Sequence, residues 1–253
     1  MFTSKEYLHS KLGLDTRIAE FFVNRKVPLN NSYWKNRLLY VSKGKGYLFI
    51  PVFFDLQYKC DVTFEMITNE EYVQVMEAIL DSAAIHEFEE ISFQQHIENC
   101  KNIMQGKVKN HELYNDLLVY FSNESLKPYK NFGTTSKALS RGDTFLFNLC
   151  FLELDQKITA KIIEAWYALV PSFLLMDDIY DLHEDIESHQ ENAVLDFGTL
   201  PKGFEEAIHL LRYNFQWLKS LNDKLGSYFE NSLESRLQTP YMQALLNKNQ
   251  YGS

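Results

Sequence analysis

The sequence predicts an all-α fold in a single domain, and three observations support this. Chain breakers are scarce, with only 10 Gly and 6 Pro in 253 residues, whereas an all-β chain needs many turns. Apolar residues recur every three or four positions in several stretches, which is the period of an amphipathic helix. No linker or shift in composition divides the chain. We therefore expect one domain over residues 1–246 and a frayed polar tail over residues 247–253.

Hydrophobic periodicity places the predicted helices along the chain. The segment that begins at Asn69 is the clearest, because Tyr72, Val75 and Met76 repeat at helical spacing. The apolar run 47–56 is short and continuous, so its pattern fits a buried strand or a buried helix. We predict helices at residues 4–24, 69–84, 91–104, 112–121, 136–154, 159–187 and 204–237, with breaks at 28–31, 106–110, 123–135 and 196–203.

The overall charge argues against several function classes. With a net charge of −9, the chain lacks the basic surface that nucleic-acid binding requires. An anionic ligand would need a metal ion or a few well-placed basic residues to overcome this negative field. The apolar runs 47–56 and 165–176 are both too short to cross a bilayer. We expect neither a nucleic-acid partner nor a transmembrane segment.

The cysteines and the N-terminus indicate the compartment. Cys60, Cys100 and Cys150 are odd in number and widely separated, and their spacing suits neither a disulfide framework nor a metal site. The first ten residues lack the apolar core of a secretory signal. We therefore expect a cytoplasmic protein in a reducing environment.

Four aspartates directly follow an uncharged apolar run. Residues 165–176 carry no charge, and the chain then continues with Asp177, Asp178, Asp181 and Asp185. On a helix, Asp177, Asp181 and Asp185 share one stripe, and Asp178 lies about 100° away. Such carboxylates repel one another unless a cation lies between them, and Mg²⁺ and Mn²⁺ prefer oxygen ligands of this kind. The cluster predicts a divalent-metal site for a phosphorylated substrate; the alternative is a solvated acidic helix end.

The same stretch resembles a motif of known enzymes. Residues 172–185, S-F-L-L-M-D-D-I-Y-D-L-H-E-D, look like the second aspartate-rich motif of trans-prenyl diphosphate synthases, where F-Q-x-x-D-D-x-x-D ends a central helix. They also resemble the N-D-x-x-S-x-x-x-E metal motif of class I terpene cyclases. Because the two families share one fold, the resemblance implies an antiparallel helical bundle of the isoprenoid synthase type around a central cavity.

Weaker resemblances lie upstream in the order found in the prenyl synthases. Lys43-Gly44-Lys45-Gly46 resembles a segment whose basic residues bind diphosphate. Residues 85–90, I-H-E-F-E-E, occupy the place of the first aspartate-rich motif, and Arg141 begins a segment placed like a Lys-Thr pair. The resemblance implies metal ligands at Asp177, Asp178, Asp181, Asp185, Glu87 and Glu90, with Asp177 and Asp181 catalytic, and diphosphate contacts from Lys43, Lys45 and Arg141.

The function implied by this resemblance is the Mg²⁺-dependent (or Mn²⁺-dependent) ionisation of an allylic prenyl diphosphate, followed by chain elongation or cyclisation. Divalent ions stabilise a departing diphosphate, and an apolar aromatic pocket protects the carbocation from water. Dimers are common among similar proteins, so a homodimer or a heterodimer with a related synthase is a further expectation.

Two other interpretations remain open. The first acidic motif contains glutamates and is interrupted by Phe88, and Ile50 stands before Pro51 where the family has Arg. A chain that lost half of the metal cage would be a non-catalytic partner or regulatory subunit with the same fold. The other interpretation is an unrelated all-α protein with an acidic surface patch, in which Asp177 and Asp181 point into solvent.

Overall fold

The structure, a computed structural model, describes residues 4–35, 40–41, 45–122 and 127–247, without the side chains of residues 45–47 and 247. Helices, with the 3₁₀ segments included, make up 74% of these described residues, which contain no β-strand. The predicted all-α class is therefore confirmed. In chain order the α-helices are α1 (Lys5–Leu12), α2 (Thr16–Asn24), α3 (Lys45–Lys59), α4 (Phe64–Ile67), α5 (Glu70–Glu87), α6 (Phe93–Met104), α7 (His111–Phe121), α8 (Lys137–Ser140), α9 (Gln156–Ser188), α10 (Lys202–Leu221), α11 (Asp223–Leu237) and α12 (Pro240–Asn247).

Polar residues at the helix starts explain where the helices begin. The Asn69 side chain accepts a hydrogen bond from the Tyr72 N–H at 3.1 Å at the start of α5. Asp155 accepts one from the Ile158 N–H at 2.8 Å at the start of α9. These side chains satisfy N–H groups that lack a partner within the helix. The ambiguous run 47–56 lies inside α3, so the helical alternative is the correct one.

The central helix is α9, which is 33 residues long. It packs against α3 and α10, and its buried residues include Ile162, Trp166 and Leu169. Among the described helices, α9 alone is long and apolar enough to cross a bilayer, but 61% of its apolar window is buried inside the fold. Because the core helix of a globular fold meets the same criterion, this feature is weak support for a membrane span.

The region 136–154 differs from the single helix that we predict. It contains the short helix α8 and then a 3₁₀ segment, Asp143–Phe151, in which every residue is buried. A segment that is buried on all sides has no polar face, so its sequence carries no helical period. This segment packs against α5, α6 and α7.

The Asp143 carboxylate anchors the start of the 3₁₀ segment. Its Oδ2 accepts hydrogen bonds from the hydroxyls of Tyr120 and Tyr167, both at 2.8 Å. Its Oδ1 accepts one from the Trp166 indole N–H at 2.9 Å. The carboxylate is fully buried, so these three donors offset the loss of its hydration. They join the segment to α7 and α9.

The C-terminal helices close the fold. A 3₁₀ segment, Ala193–Phe197, occupies the start of the break after α9, and α10 then packs on both α9 and α11. Asn222 begins α11 and donates through Nδ2 to the Leu12 carbonyl at 2.9 Å, which fixes the N-terminal region against this helix pair. Helix α12 is the last helix of the described chain and ends at residue 247, and residues 248–253 of the predicted tail lie outside the described residues.

Candidate functional site

A cavity of about 390 Å³ lies between α3, α5 and α9 and the segment that follows α8. We call it cavity A. Its walls are mainly apolar, and charged side chains occur at a few positions. The lining residues are Ser32, Tyr33, Phe49, Ile79, Leu80, Ala83, Ala84, Glu87, Phe88, Arg141, Gly142, Thr144, Phe145, Trp166, Val170, Phe173, Leu174 and Asp177.

Three residues that the sequence singled out line cavity A together. Glu87 is the last residue of α5, Arg141 directly follows α8, and Asp177 lies in α9. Glu87 and Arg141 are exposed, and Asp177 is half-buried. Two acidic side chains and one basic side chain from distant parts of the sequence therefore face the same space. This position of Asp177 does not favour the interpretation of a purely solvated acidic patch.

The interior of cavity A is aromatic. The rings of Phe145 and Trp166 stack with centroids 5.2 Å apart and an angle of 17° between their planes. Phe49 makes T-shaped contacts with both rings, and its centroid lies 5.5 Å from that of Phe145 and 6.1 Å from that of Trp166. On α9, Trp166, Phe173 and Asp177 follow helical spacing, so one face of this helix carries both aromatic and acidic groups into the cavity. An apolar group with a charged end fits this lining.

Asp178 contacts the chain beyond α9 instead of lining cavity A. Its Oδ2 accepts a hydrogen bond from the Ala193 N–H at 2.8 Å. Burial raises the pKa of Asp178 above its usual value, and the negative charges of Asp177 and Asp185 act in the same direction. The Ala193 N–H and the positive charge of Arg141 oppose this increase in the pKa. Asp178 therefore supports the following segment and remains electrostatically linked to Arg141.

Asp185 has a similar supporting role at the end of α9. Its Oδ2 accepts a hydrogen bond from Asn192 Nδ2 at 2.8 Å, and the same amide group donates to the Asp178 carbonyl at 2.8 Å. Asn192 is buried. Asp178 and Asp185 thus hold the turn that connects α9 to the segment Ala193–Phe197. Asp181 lies between these groups, is exposed, and is not among the residues that line cavity A.

The first acidic segment contributes Glu87 to cavity A but not Glu90. Helix α5 ends at Glu87, and Glu89 has a φ of 59°, in the left-handed region. This turn takes Glu90 off the helical face of Glu87. Phe88, which is 60% exposed, lines the cavity instead. In the sequence, Phe88 only interrupts an acidic motif, and no hydrophobic period identifies it as a residue that lines a cavity.

The predicted basic segment lies largely beyond what the structure describes. Lys43 is outside the described residues. Lys45 is the first residue of α3, but the position of its side chain is not described. Its predicted contact with a diphosphate therefore stays a prediction, and Arg141 is the basic residue of the predicted set that lines cavity A.

The donor set at cavity A suits a divalent ion only if a ligand completes its coordination. Within the described part of the chain, no three His, Cys, Asp or Glu side chains are grouped so as to hold a metal ion. Asp177 and Glu87 nevertheless supply carboxylates at the cavity. Mg²⁺ is usually held by one or two carboxylates together with water and substrate phosphates. These residues therefore fit a shared site, in which the substrate provides ligands, better than a site formed by protein alone.

A buried polar chain reaches the wall of cavity A and was not predicted from the sequence. The Ser82 hydroxyl lies 2.8 Å from His96 Nδ1, and His96 Nε2 lies 3.0 Å from the Thr144 hydroxyl. Asn99 Nδ2 donates to the Ser82 hydroxyl at 3.1 Å. Burial, with a smaller contribution from His86, lowers the pKa of His96 to about 4. The imidazole is therefore neutral near pH 7, with one nitrogen donating a hydrogen bond and the other accepting one.

Comparison with known proteins yields no relative. No protein-family model matches the chain, and no curated protein or solved structure matches it. The function is therefore argued from the cavity and its side chains.

Proposed function

We propose that cavity A binds an allylic prenyl diphosphate and that the chain is a Mg²⁺-dependent (or Mn²⁺-dependent) isoprenoid synthase, which ionises this substrate for elongation or cyclisation. The observation that carries the proposal is the meeting of Glu87, Arg141 and Asp177 at one apolar, aromatic cavity. A prenyl diphosphate has matching halves, because a strongly anionic group is attached to a hydrocarbon chain.

The charged residues account for binding of the diphosphate. The Arg141 guanidinium is a cation, and its planar donors suit phosphate oxygens. Asp177 and Glu87 supply the carboxylates for a divalent ion that would stabilise the negative charge of the departing diphosphate. Without such an ion the two carboxylates would repel the substrate, so we expect binding to require the metal.

The apolar residues account for the hydrocarbon chain and for the positive charge left on it. Leu80, Val170 and Phe173 bury hydrocarbon and exclude water, which would otherwise quench a carbocation. Phe49 and Phe173, the partly exposed aromatic residues of the lining, offer cation–π stabilisation to an allylic cation. The diphosphate end of the substrate would thus lie near the carboxylates and a divalent ion that they would hold. The hydrocarbon end would lie against aromatic residues.

The test is release of pyrophosphate from allylic diphosphates of increasing length, with and without Mg²⁺. We expect release that depends on the metal and falls about a hundredfold or more in Asp177→Asn and in Arg141→Gln. The matched control is Glu184→Gln, which removes an exposed carboxylate from the same helix outside cavity A. It is expected to retain the activity of the wild type. Absence of both pyrophosphate release and substrate binding in the wild type would refute the proposal.

A second candidate function is favoured by the hydrogen bonds of Asp178 and Asp185. Because both carboxylates hold the turn at Asn192 and Ala193, they are less available to a metal than the resemblance implies. A non-catalytic partner or regulatory subunit would bind the diphosphate without releasing pyrophosphate and would copurify with an active prenyl synthase. Pyrophosphate release by the isolated chain would exclude this candidate. A cytoplasmic location and a homodimeric or heterodimeric state remain predictions.

A further inference from the structure

Cavity A changes from exposed to buried along two of the helices that form it. On α9 its lining passes from Asp177, which is half-buried, to Val170 and Trp166, which are buried. On α5 its lining passes from Glu87, which is exposed, to Ile79, which is fully buried. We call the part near Glu87 and Asp177 the exposed end and the part near Ile79 and Trp166 the closed end. The carboxylates therefore lie at the exposed end, and the closed end is apolar.

The two helices give the length of cavity A. An α-helix rises about 1.5 Å per residue, so the lining spans about 16 Å along α9 from Asp177 to Trp166 and about 12 Å along α5 from Glu87 to Ile79. An extended prenyl chain advances about 5 Å per five-carbon unit, because its four carbon–carbon bonds follow a zigzag. Three units, at about 15 Å, fit along α9, whereas four units, at about 20 Å, are longer than either wall.

The volume of cavity A gives the same limit. The cavity measures about 390 Å³. At the packing density of a protein interior, each carbon of a hydrocarbon occupies about 25 Å³, so fifteen carbons need about 375 Å³ and twenty need about 500 Å³. A fifteen-carbon chain therefore fills the cavity, and a twenty-carbon chain exceeds it. Length and volume are separate measures, and they agree on three units.

Buried contacts fix the closed end of cavity A. The Trp166 indole N–H donates to the Asp143 carboxylate at 2.9 Å, and the Phe145 ring stacks on Trp166. Phe53 is fully buried behind these rings, with its centroid 5.7 Å from that of Phe145 and 5.0 Å from that of Trp166. A longer ligand would have to displace this packed group, and a dense core does not accept extra methylene groups without strain. The closed end therefore limits the length of the ligand.

We propose that cavity A accepts a hydrocarbon chain of at most fifteen carbons, or three isoprenoid units, and excludes a chain of twenty. The inference rests on the proposed function for its diphosphate head group, which lies at the exposed end with Asp177 and Glu87. The tail extends along α9 toward Trp166. The limit itself follows from the dimensions of the cavity.

The test is calorimetric titration of the full-length protein, with Mg²⁺, with the ten-, fifteen- and twenty-carbon prenyl thiolodiphosphates. The first two are expected to bind, and the twenty-carbon analogue is expected to bind about tenfold or more weakly than the fifteen-carbon analogue because it overpacks the closed end. A smaller difference would overturn the length limit and leave the proposed function standing. Binding of the ten-carbon analogue alone would also overturn the limit. Absence of binding by all three would refute both proposals.

A substitution at Gly142 narrows cavity A at the closed end. A Cβ added there would lie 3.6 Å from Trp166 and 3.8 Å from Val170, at ordinary contact distances, so an alanine fits without a clash. Its methyl group takes space near the third unit of a fifteen-carbon chain but not near a ten-carbon chain. Gly142→Ala is therefore expected to weaken binding of the fifteen-carbon analogue about fivefold or more relative to the ten-carbon analogue. An unchanged ratio of the two affinities would overturn the proposal.

The opposite substitution enlarges the closed end. Ile79→Ala removes three carbons from a fully buried wall residue and is expected to bring the affinity for the twenty-carbon analogue to within about threefold of that for the fifteen-carbon analogue. The matched control is Ile162→Ala, because Ile162 is also fully buried but does not line cavity A. That control is expected to keep the ratio of the wild type. An equal ratio in the folded Ile79→Ala protein and in the control would overturn the proposal.

Discussion

Trp166 and Tyr167 are neighbours on α9, and they donate hydrogen bonds to the two oxygens of one buried carboxylate, that of Asp143. Trp166 lines cavity A, and Tyr167 lines a second cavity, of about 630 Å³, between α9 and α10. The carboxylate therefore fixes the orientation of one wall residue of each cavity. Tyr120 of α7 donates to the same carboxylate. Loss of the Asp143 carboxylate would therefore affect the 3₁₀ segment, α7 and α9 together.

Removal of the Asp143 carboxylate is expected to destabilise the protein strongly. In Asp143→Ala the donors of Tyr120, Trp166 and Tyr167 lose their acceptor in a buried site. We expect the free energy of unfolding to fall by about 3–5 kcal/mol. Asp143→Asn keeps one carbonyl acceptor and should lose less. Urea unfolding of the two variants and the wild type measures the difference, and equal stability of Asp143→Ala and the wild type would contradict the role of this network.

The same carboxylate is expected to make stability depend on pH. Burial raises the pKa of Asp143 to about 6, although its three hydrogen bonds lower it in part. Because the folded pKa is above the unfolded value of 3.8, the stabilising effect of protonation is fully present below pH 3.8 and is lost as the pH rises through 6. Its size is about 3 kcal/mol, at about 1.4 kcal/mol per pKa unit. The stability of the wild type relative to Asp143→Asn should therefore fall between pH 4 and pH 7, and a constant difference would contradict this assignment.

His96 is expected to act in the opposite direction. Its pKa is lowered from 6.5 to about 4, mainly by burial, so the unfolded chain binds more protons than the folded chain between these values. The stability associated with the neutral imidazole is fully present above pH 6.5 and is lost as the pH falls toward 4. Relative to His96→Gln, the wild type should lose about 3 kcal/mol of unfolding free energy over this interval. Chemical unfolding at several pH values measures the effect. An unchanged difference between the two proteins would contradict it.

The aspartates of α9 are expected to differ in their importance for ligand binding. Asp177 lines cavity A, whereas Asp181 is exposed and lies outside its lining. We predict that Asp177→Asn weakens metal-dependent binding of an allylic diphosphate at least tenfold more than Asp181→Asn does. Titration of both variants with the same substrate at fixed Mg²⁺ measures this. A larger loss in Asp181→Asn would instead favour the full aspartate stripe as the metal site.

Helices with one polar face were predictable from the sequence, whereas the conformation of segments without a polar face was harder to predict. The repeat from Tyr72 to Met76 and the cap at Asn69 indicate α5, and the structure confirms that helix. The run 47–56 was ambiguous, and residues 143–151 were expected to be part of an ordinary α-helix. Residues 50–56 and 143–151 are all buried, so tertiary contacts, which periodicity does not reveal, determine the conformation of these segments.

The candidate site was predictable only in part, for a related reason. Asp177 directly follows an apolar run, so the sequence pattern itself draws attention to it, whereas Glu87 and Arg141 are singled out only by the resemblance to the prenyl synthases. The chain of hydrogen bonds from Ser82 through His96 to Thr144 has no such signal, because it depends on which buried neighbours these side chains meet. The hydrogen bonds that occupy Asp178 and Asp185 come from residues at 192–193, which belong to no motif.

The most direct test of the central claim is calorimetric titration of the protein with an allylic thiolodiphosphate, a substrate analogue that ionises slowly, in the presence and absence of Mg²⁺. We predict binding with a dissociation constant of about 10 µM or tighter with Mg²⁺. We also predict a loss of at least tenfold without the metal or in Asp177→Asn, and no change in Glu184→Gln. Absence of binding by the wild type, or equal binding by Asp177→Asn, would contradict the assignment of cavity A as a prenyl diphosphate site.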